Sequence, residues 1–263
     1  MRMCPAVAVA FLTIALSPPA LPATAQAADK AQSSDTTFSN VVVNRGKDIV
    51  LGLTTRKTVT ITWTARDTEG VAASWAYLWH GPNTDDADGI LPQYPPEGTC
   101  LVSPTDPTTS TCKVSFAVDA LRDFDHNGLA GAWKVLGAAQ DANDDWTETD
   151  VTGTANLKRY AMVTVNASPE PVKKGRTITV NGKLTRADWE SGTYTGYRDR
   201  PVQLQFRKKG SSVYTTLKTV TSGVGGTLKA TTKARTDGYF RFVFTGTPTT
   251  GPSTAAGDYV DVR

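Results

Sequence analysis

A chain of 263 residues, 39% of them hydrophobic, is long enough for two cores of ordinary size. With 28 Lys or Arg against 25 Asp or Glu it is nearly neutral overall, and its 2 histidines leave little material for general acid and base chemistry. The sequence contains no GxSxG elbow, no HExxH pair and no phosphate loop.

The N-terminus carries Arg2, an apolar run from about Pro5 to Leu16, then Pro18 and Pro19, and an Ala25-x-Ala27 site. This pattern predicts a secretory signal peptide over residues 1–27, cleaved after Ala27. At ~12 apolar residues the run is too short to span a bilayer. Cys4 precedes the run, so a lipoprotein attachment site is not expected. The C-terminal "GDYVDVR" offers no hydrophobic tail. The expected product is soluble, extracellular and without a membrane anchor. Export removes Cys4 and leaves Cys100 and Cys112, an even pair in an oxidising compartment, which predicts a disulfide. By loop entropy such a short loop contributes ~3 kcal/mol.

The mature chain of 236 residues suits two domains, and its charge is divided between them. Residues 28–165 hold 11 Lys or Arg and 18 Asp or Glu, a net of −7. Residues 166–263 hold 16 and 7, a net of +9.

"ADKAQSSDTT", residues 28–37, is polar without apolar period and predicts a disordered leader. Strict alternation follows. Val59, Ile61, Trp63 and Ala65 share one face, as do Val114, Phe116 and Val118, and then Trp133 and Val135. In the second half the inward sets are Ile178, Val180 and Leu184; Val202, Leu204 and Phe206; Leu228 and Ala230; Phe240, Phe242 and Phe244; Val260 and Val262. Short strands, turn signals about every ten residues and almost no helical period predict an all-β chain of two tandem antiparallel sandwiches. The N-terminal sandwich is expected over 38–159 and the C-terminal one over 160–263. No Gly/Ser or Pro linker intervenes near 158–161, which predicts a short, stiff joint.

The stretches "VTVNASPEPVKKGRTITVNGKLTR", "PVQLQFRKKGSSVYTTLKTV" and "TDGYFRFVFTGT", with "FSNVVVNRGKDIVLG" and "AGAWKV" earlier, resemble secreted actinobacterial proteins built of tandem immunoglobulin-like modules. The resemblance implies an immunoglobulin-like fold and export. Some members of that family carry a loose calcium-binding label, and the resemblance implies little else about ligand.

"DFDHNG", residues 123–128, has the opening of a calcium loop: oxygens at Asp123, Asp125 and Asn127, then Gly128. An EF-hand is excluded, because position 12 from Asp123 is Lys134 and a strand follows instead of a helix. A weaker site remains if a second loop completes the shell. "NTDDADG", residues 83–89, offers Asp85, Asp86 and Asp88. With strands at 71–80, 98–103, 112–118, 131–139 and about 150–158, both acidic loops emerge at one pole, the pole from which the chain leaves for the second domain. "DANDDW", 141–146, falls at the opposite pole. The second domain would present "RADWESGTYTGYRD" there, with Arg186, Arg198 and Arg200. Two readings follow: an acidic rim paired with those arginines, or calcium at Asp123, Asp125, Asn127, Asp86 and Asp88 that stiffens the joint. No other cofactor is expected.

"SWAYLWHG" sets Trp75, Tyr77 and Trp79 on one face. Immunoglobulin-like sandwiches usually bury a Trp in this strand, which makes the trio core, and the alternative is an exposed platform for sugar rings. In the basic half, Arg207, Lys208, Lys209, Lys229, Lys233 and Arg241 face outward, either to meet an anionic wall polymer or to protect edge strands. Nucleic acid is set aside, since only Tyr239 shares the outward face where stacking bases would need aromatics. A hydrolase would need His80 or His126 beside a serine and a carboxylate. The expected function is a non-enzymatic extracellular binding or structural element for an unidentified partner, with a calcium-binding protein, a carbohydrate-binding module and a hydrolase as alternatives.

Overall fold

The computed structural model describes residues 34–263. The expected signal peptide and the expected leader as far as residue 33 lie outside the described residues. The rest of that leader is ordered, contrary to its polar composition. Thr36 is buried, and its hydroxyl donates to Asp67 Oδ2 at 2.6 Å beside Ser34 Oγ at 2.7 Å. Asp67 is itself buried, so these short polar side chains order because a desolvated carboxylate needs donors. Regular structure begins at Thr37.

The N-terminal sandwich is built from β1 (Thr37–Val43), β2 (Ile49–Leu51), β3 (Arg56–Arg66), β4 (Val71–His80), β5 (Gly89–Leu91), β6 (Thr99–Ser103), β7 (Asp106–Asp119), β8 (Gly131–Asp141) and β9 (Trp146–Arg159). One sheet has the order β1-β3-β7-β6 and the other β2-β9-β8-β4-β5. The chain changes sheets between β1 and β2, so β2 runs parallel to β9 while β1 pairs antiparallel with β3. These are the orders A-B-E-D and A′-G-F-C-C′ of an immunoglobulin sandwich. The alternating residues pack between the sheets as their period requires: Val59, Ile61, Trp63, Ala65, Val114, Val118, Trp133 and Val135 are all buried.

The core is stocked differently from the usual immunoglobulin pattern. Its large aromatics come from β3 and β8 rather than from β4. Trp63 Nε1 donates to Ser74 Oγ at 3.0 Å, and that hydroxyl donates to Ala138 O at 3.0 Å. Trp133 Nε1 donates to Leu129 O at 2.8 Å. With that volume filled, β4 turns its small face inward, Ser74, Ala76 and Leu78. The Cys100–Cys112 disulfide is formed, but it joins directly opposite residues of the β6–β7 hairpin and not the two sheets.

The C-terminal sandwich uses β10 (Ala161–Val163), β11 (Asn166–Ser168), β12 (Thr177–Asp188), β13 (Thr193–Gly196), β14 (Pro201–Lys208), β15 (Thr215–Thr221), β16 (Thr227–Lys233), β17 (Gly238–Phe244), β18 (Ser253–Thr254) and β19 (Asp258–Val260). β12 is flanked by β10 and β11 on one side and by β13 and β16 on the other. The facing sheet runs β15-β14-β17, with β18 and β19 on its far edge. Ile178, Val180, Leu184, Val202, Leu204, Phe242, Phe244 and Val260 fill its interior. Phe206 is only partly buried, at the rim.

Candidate functional site

Two regions merit description as sites: the acidic pole where the sandwiches join, and the outer face of the sheet that contains β4.

At the pole, β7 ends in a one-turn helix, α1 (Ala120–Asp123), with the Asp119 side chain accepting from Leu121 N at 3.2 Å. The two acidic loops do come together, with His126 Nε2 3.9 Å from Asp88 Oδ2. Their carboxylates nevertheless turn to partners within the protein and not to a common centre. Asp123 accepts from Asp119 N at 2.8 Å and from Arg122 Nε at 2.8 Å. Asp125 pairs with His126 Nδ1 at 2.6 Å, a hydrogen bond that holds its carboxyl below the ordinary range. Asp86 accepts from Asn83 Nδ2 at 3.0 Å, and Asp88 pairs with His80 Nδ1 at 2.5 Å. Among the described residues no group of three or more His, Cys, Asp or Glu is disposed to hold a metal ion. The five expected ligands thus do not form a shell, because each acidic side chain already has a nearer donor and Asn127 faces the other sandwich. Among the described residues the partners of both imidazoles are carboxylates, Asp88 for His80 and Asp125 for His126.

Asn127 is the centre of the joint. Its Nδ2 donates to Asp188 Oδ1 at 3.0 Å, its Oδ1 accepts from Trp189 N at 3.0 Å, and its own N–H donates to Glu190 Oε1 at 2.8 Å. Trp189, although it follows β12 of the C-terminal sandwich, is buried in the N-terminal core together with Ala187. Its ring lies 4.6 Å from Phe124. Beneath it, Arg159 is 4% exposed, donates through Nε to Ala187 O at 2.5 Å and places Nη2 3.7 Å from Asp188 Oδ2. Burial and the neighbouring Arg186 push its pKa down to about 10, so it stays charged at neutral pH. The facing loop is the expected one, but the expected arginine partners are not used. Arg186 and Arg200 both stack on Tyr197, at 3.9 and 4.8 Å, and Arg198 pairs with Asp199. A cleft of about 730 Å³ remains beside the joint, with Asp88, Asp123, Asp125 and Glu190 on its walls.

The second region corrects the core reading of Trp75 and Tyr77. Both are only partly buried and lie outward, across the small central strand: Trp75 is opposite Ala138 and Tyr77 opposite Leu136. Trp79 shares their face but is 1% exposed. Lys134 Nζ lies 4.0 Å over its ring and donates to the carbonyls of Gly81 and Pro82, sealing it from solvent. The platform is completed by a residue the sequence reading left out. Trp146, 48% exposed, sits opposite Gln140 on β9, and its ring centroid is 5.0 Å from that of Trp75. The alternation Trp146, Glu148, Asp150 at the start of β9 carries that signal in the sequence. Tyr77 Oη donates to Glu148 Oε1 at 2.8 Å, and burial together with this hydrogen bond raises the phenol's pKa. Glu148 and Asp150 stand beside Trp75 and Tyr77 in the register, opposite Ala138 and Leu136. The result is an aromatic surface edged by carboxylate acceptors, its two indoles tilted 46° to each other.

No family model and no curated protein matches this chain. Among solved structures it is similar at 17% identity to the full ectodomain of mouse nectin-like molecule 4, with a TM-score of 0.29 over 85% of this chain and 65% of that one. It therefore spans about two thirds of that ectodomain. The D00-D0 domain of intimin is similar at 13% identity and a TM-score of 0.26, over 84% of this chain and 98% of that domain. Dimeric latent PorU from Porphyromonas gingivalis is similar at 10% identity and a TM-score of 0.29, over 93% of this chain and 21% of that one. The fold described above rests on the strand orders and the two cores, and similarity at these levels carries neither ligand nor activity. No helix among the described residues is long and apolar enough to cross a membrane.

Proposed function

We propose that this chain is an extracellular, non-enzymatic binding protein of two rigidly joined immunoglobulin-like modules, and that the outer β9-β8-β4 face of the first takes a carbohydrate. The observation that carries the reading is the outward pairing of half-buried Trp75 with exposed Trp146 at 5.0 Å, flanked by Tyr77 and by the carboxylate of Glu148. Large aromatics are normally buried, and here the core is already filled by Trp63 and Trp133, so the outward pair is free to meet a ligand. Indole faces stack on the C–H faces of sugar rings, and carboxylates at the edge accept from hydroxyls. The extracellular setting is supported by the disulfide and by the signal-peptide pattern of the first 27 residues.

Affinity electrophoresis through gels containing neutral polysaccharides, with tryptophan emission followed during titration with soluble oligosaccharides, tests the reading. A retarding polysaccharide is expected, with retardation lost in Trp75→Ala and in Trp146→Ala. Retardation by none of them, or equal retardation of both variants and the wild type, refutes it.

A further inference from the structure

The C-terminal sandwich carries a second built surface, on the outer face of β14 and β17. Arg207 lies opposite Tyr239, and Arg241 opposite Gln205, so the two arginines are diagonal neighbours on one face. Arg241 stacks on the Tyr214 ring at 3.6 Å, and Arg207 lies 4.1 Å over Tyr239 and 5.3 Å from the same Tyr214 ring. Two guanidiniums thus converge on one tyrosine. Each is fixed further by a neutral acceptor: Arg241 Nε donates to Gln205 Oε1 at 2.9 Å, and Arg207 Nη1 to Ser211 O at 2.5 Å. The ion pairs of this sandwich are Arg198 with Asp199, Lys209 with Asp237 and Arg263 with Asp261, apart from Asp188 at the joint. Neither Arg207 nor Arg241 has a carboxylate partner among the described residues.

Stacking holds the guanidiniums flat and spares their remaining N–H groups, which is the preorganised state of an oxyanion fork. The surrounding half carries a net +9, a field that favours an anion as their partner. On the same strand the Gln203 and Gln205 amides are linked Nε2 to Oε1 at 3.1 Å and both bond to Thr216 Oγ1, which leaves the Gln203 amide N–H groups to meet hydroxyls. Nucleic acid fits worse: the tyrosine faces that bases would need are occupied by guanidinium. We infer that the Arg207, Arg241 and Tyr214 cluster binds an oxyanion, carboxylate or sulfate, carried on an acidic polysaccharide. The inference stands apart from the Trp75 face of the first module.

The test measures binding of the whole mature chain to polygalacturonate, dextran sulfate, neutral dextran and inorganic polyphosphate. Binding to at least one acidic polysaccharide is expected, and any binding to dextran should survive replacement of the arginines. Replacing both arginines (Arg207→Gln with Arg241→Gln) should weaken it at least about tenfold. The charge-matched pair Lys229→Gln with Lys233→Gln, on the other sheet, should weaken it by less than about twofold. Arg241→Lys, which keeps the charge and loses the planar fork, should weaken binding nearly as much as Arg241→Gln; it also guards against loss of fold as the cause. Equal losses from the lysine pair, wild-type binding by Arg241→Lys, polyphosphate binding as tight as that of the polysaccharides, or no binding to either acidic polysaccharide would each overturn the inference.

Discussion

Trp189→Ala should destabilise the N-terminal sandwich, although the residue belongs in sequence to the C-terminal one. Its side chain is 3% exposed and packs on Phe124 at 4.6 Å within the first core. Truncating a buried Trp typically costs about 3 to 5 kcal/mol. Trp189 Nε1 has no hydrogen-bond partner among the described residues, so its removal also relieves a desolvated donor. That relief is worth about 1 kcal/mol or more, which places the expected loss near the low end, about 3 kcal/mol. Asn127 keeps its bonds to Asp188, to the backbone N–H at position 189 and to Glu190, but the segment they hold has lost its anchor. Guanidinium unfolding of the full chain, followed by tryptophan emission and by far-UV circular dichroism, reads the change as a lower midpoint at an unchanged slope. A double-mutant cycle with Phe124→Ala should give a coupling of about 1 kcal/mol or more. A loss below about 1 kcal/mol, or an N-terminal transition that keeps its wild-type midpoint, would show that Trp189 only rests on the first sandwich and does not complete it.

Acidification should destabilise the chain below about pH 4. Asp188 is held below the usual carboxyl range by the Asn127 side chain and Asp48 by Lys158, against an unfolded value near 3.9. A depressed folded pKa contributes stability that is present above the unfolded value and is lost as pH falls through the folded one. Urea midpoints should therefore fall on acidification, and Asp188→Asn should flatten part of that slope; midpoints that rise toward pH 3 would contradict the assignment. Millimolar calcium, compared with chelator, should move the thermal midpoint by no more than about 1 °C, since a ligand that binds only the folded state must raise it; a shift of several degrees would restore a metal to the acidic pole. Replacing Cys100 and Cys112 together by Ala should cost about 3 kcal/mol in denaturant unfolding, the loop-closure value for a short ring; no loss would mean that the β6–β7 hairpin closes equally well without it.

The alternation that marks β3, β12 and β17 was legible because one face of each strand is buried and the side-chain period is two. Period alone also puts Trp75, Tyr77 and Trp79 together on one face of β4, as they are. It does not say which face is inward. That choice is made by volume: Trp63 and Trp133 arrive from β3 and β8, and only Ser74, Ala76 and Leu78 fit the space left. Depth along the face is decided across strands as well, for Trp79 is sealed by Lys134 of β8 while Trp75 faces Trp146 of β9. The spacing in "DFDHNG" correctly marks a loop rich in oxygen atoms. The partners of its Asn127 lie 61 to 63 residues away, at Asp188, Trp189 and Glu190, a separation that no local pattern encodes.

The joint is a continuation of the first core more than a contact between two finished ones. Backbone pairing runs through it without a break: Tyr160 N donates to Leu51 O, Ala187 N to Tyr160 O and Arg159 N to Thr249 O. Arg159 could be buried only because the second sandwich supplies the Ala187 carbonyl and the Asp188 carboxylate to it; alone, that charge would be desolvated without compensation. A cut at residue 159 follows the strand boundary and still removes Ala187 and Trp189 from the interior of the N-terminal half. A fragment of residues 34–159 should therefore unfold at lower denaturant than the same half within the full chain, and expose Phe124 to solvent. Adding the C-terminal half in trans should not restore it fully, because association then carries the entropy that the continuous chain avoids. A fragment with the full chain's midpoint would mean that the two cores are energetically separate and that Trp189 is a passenger.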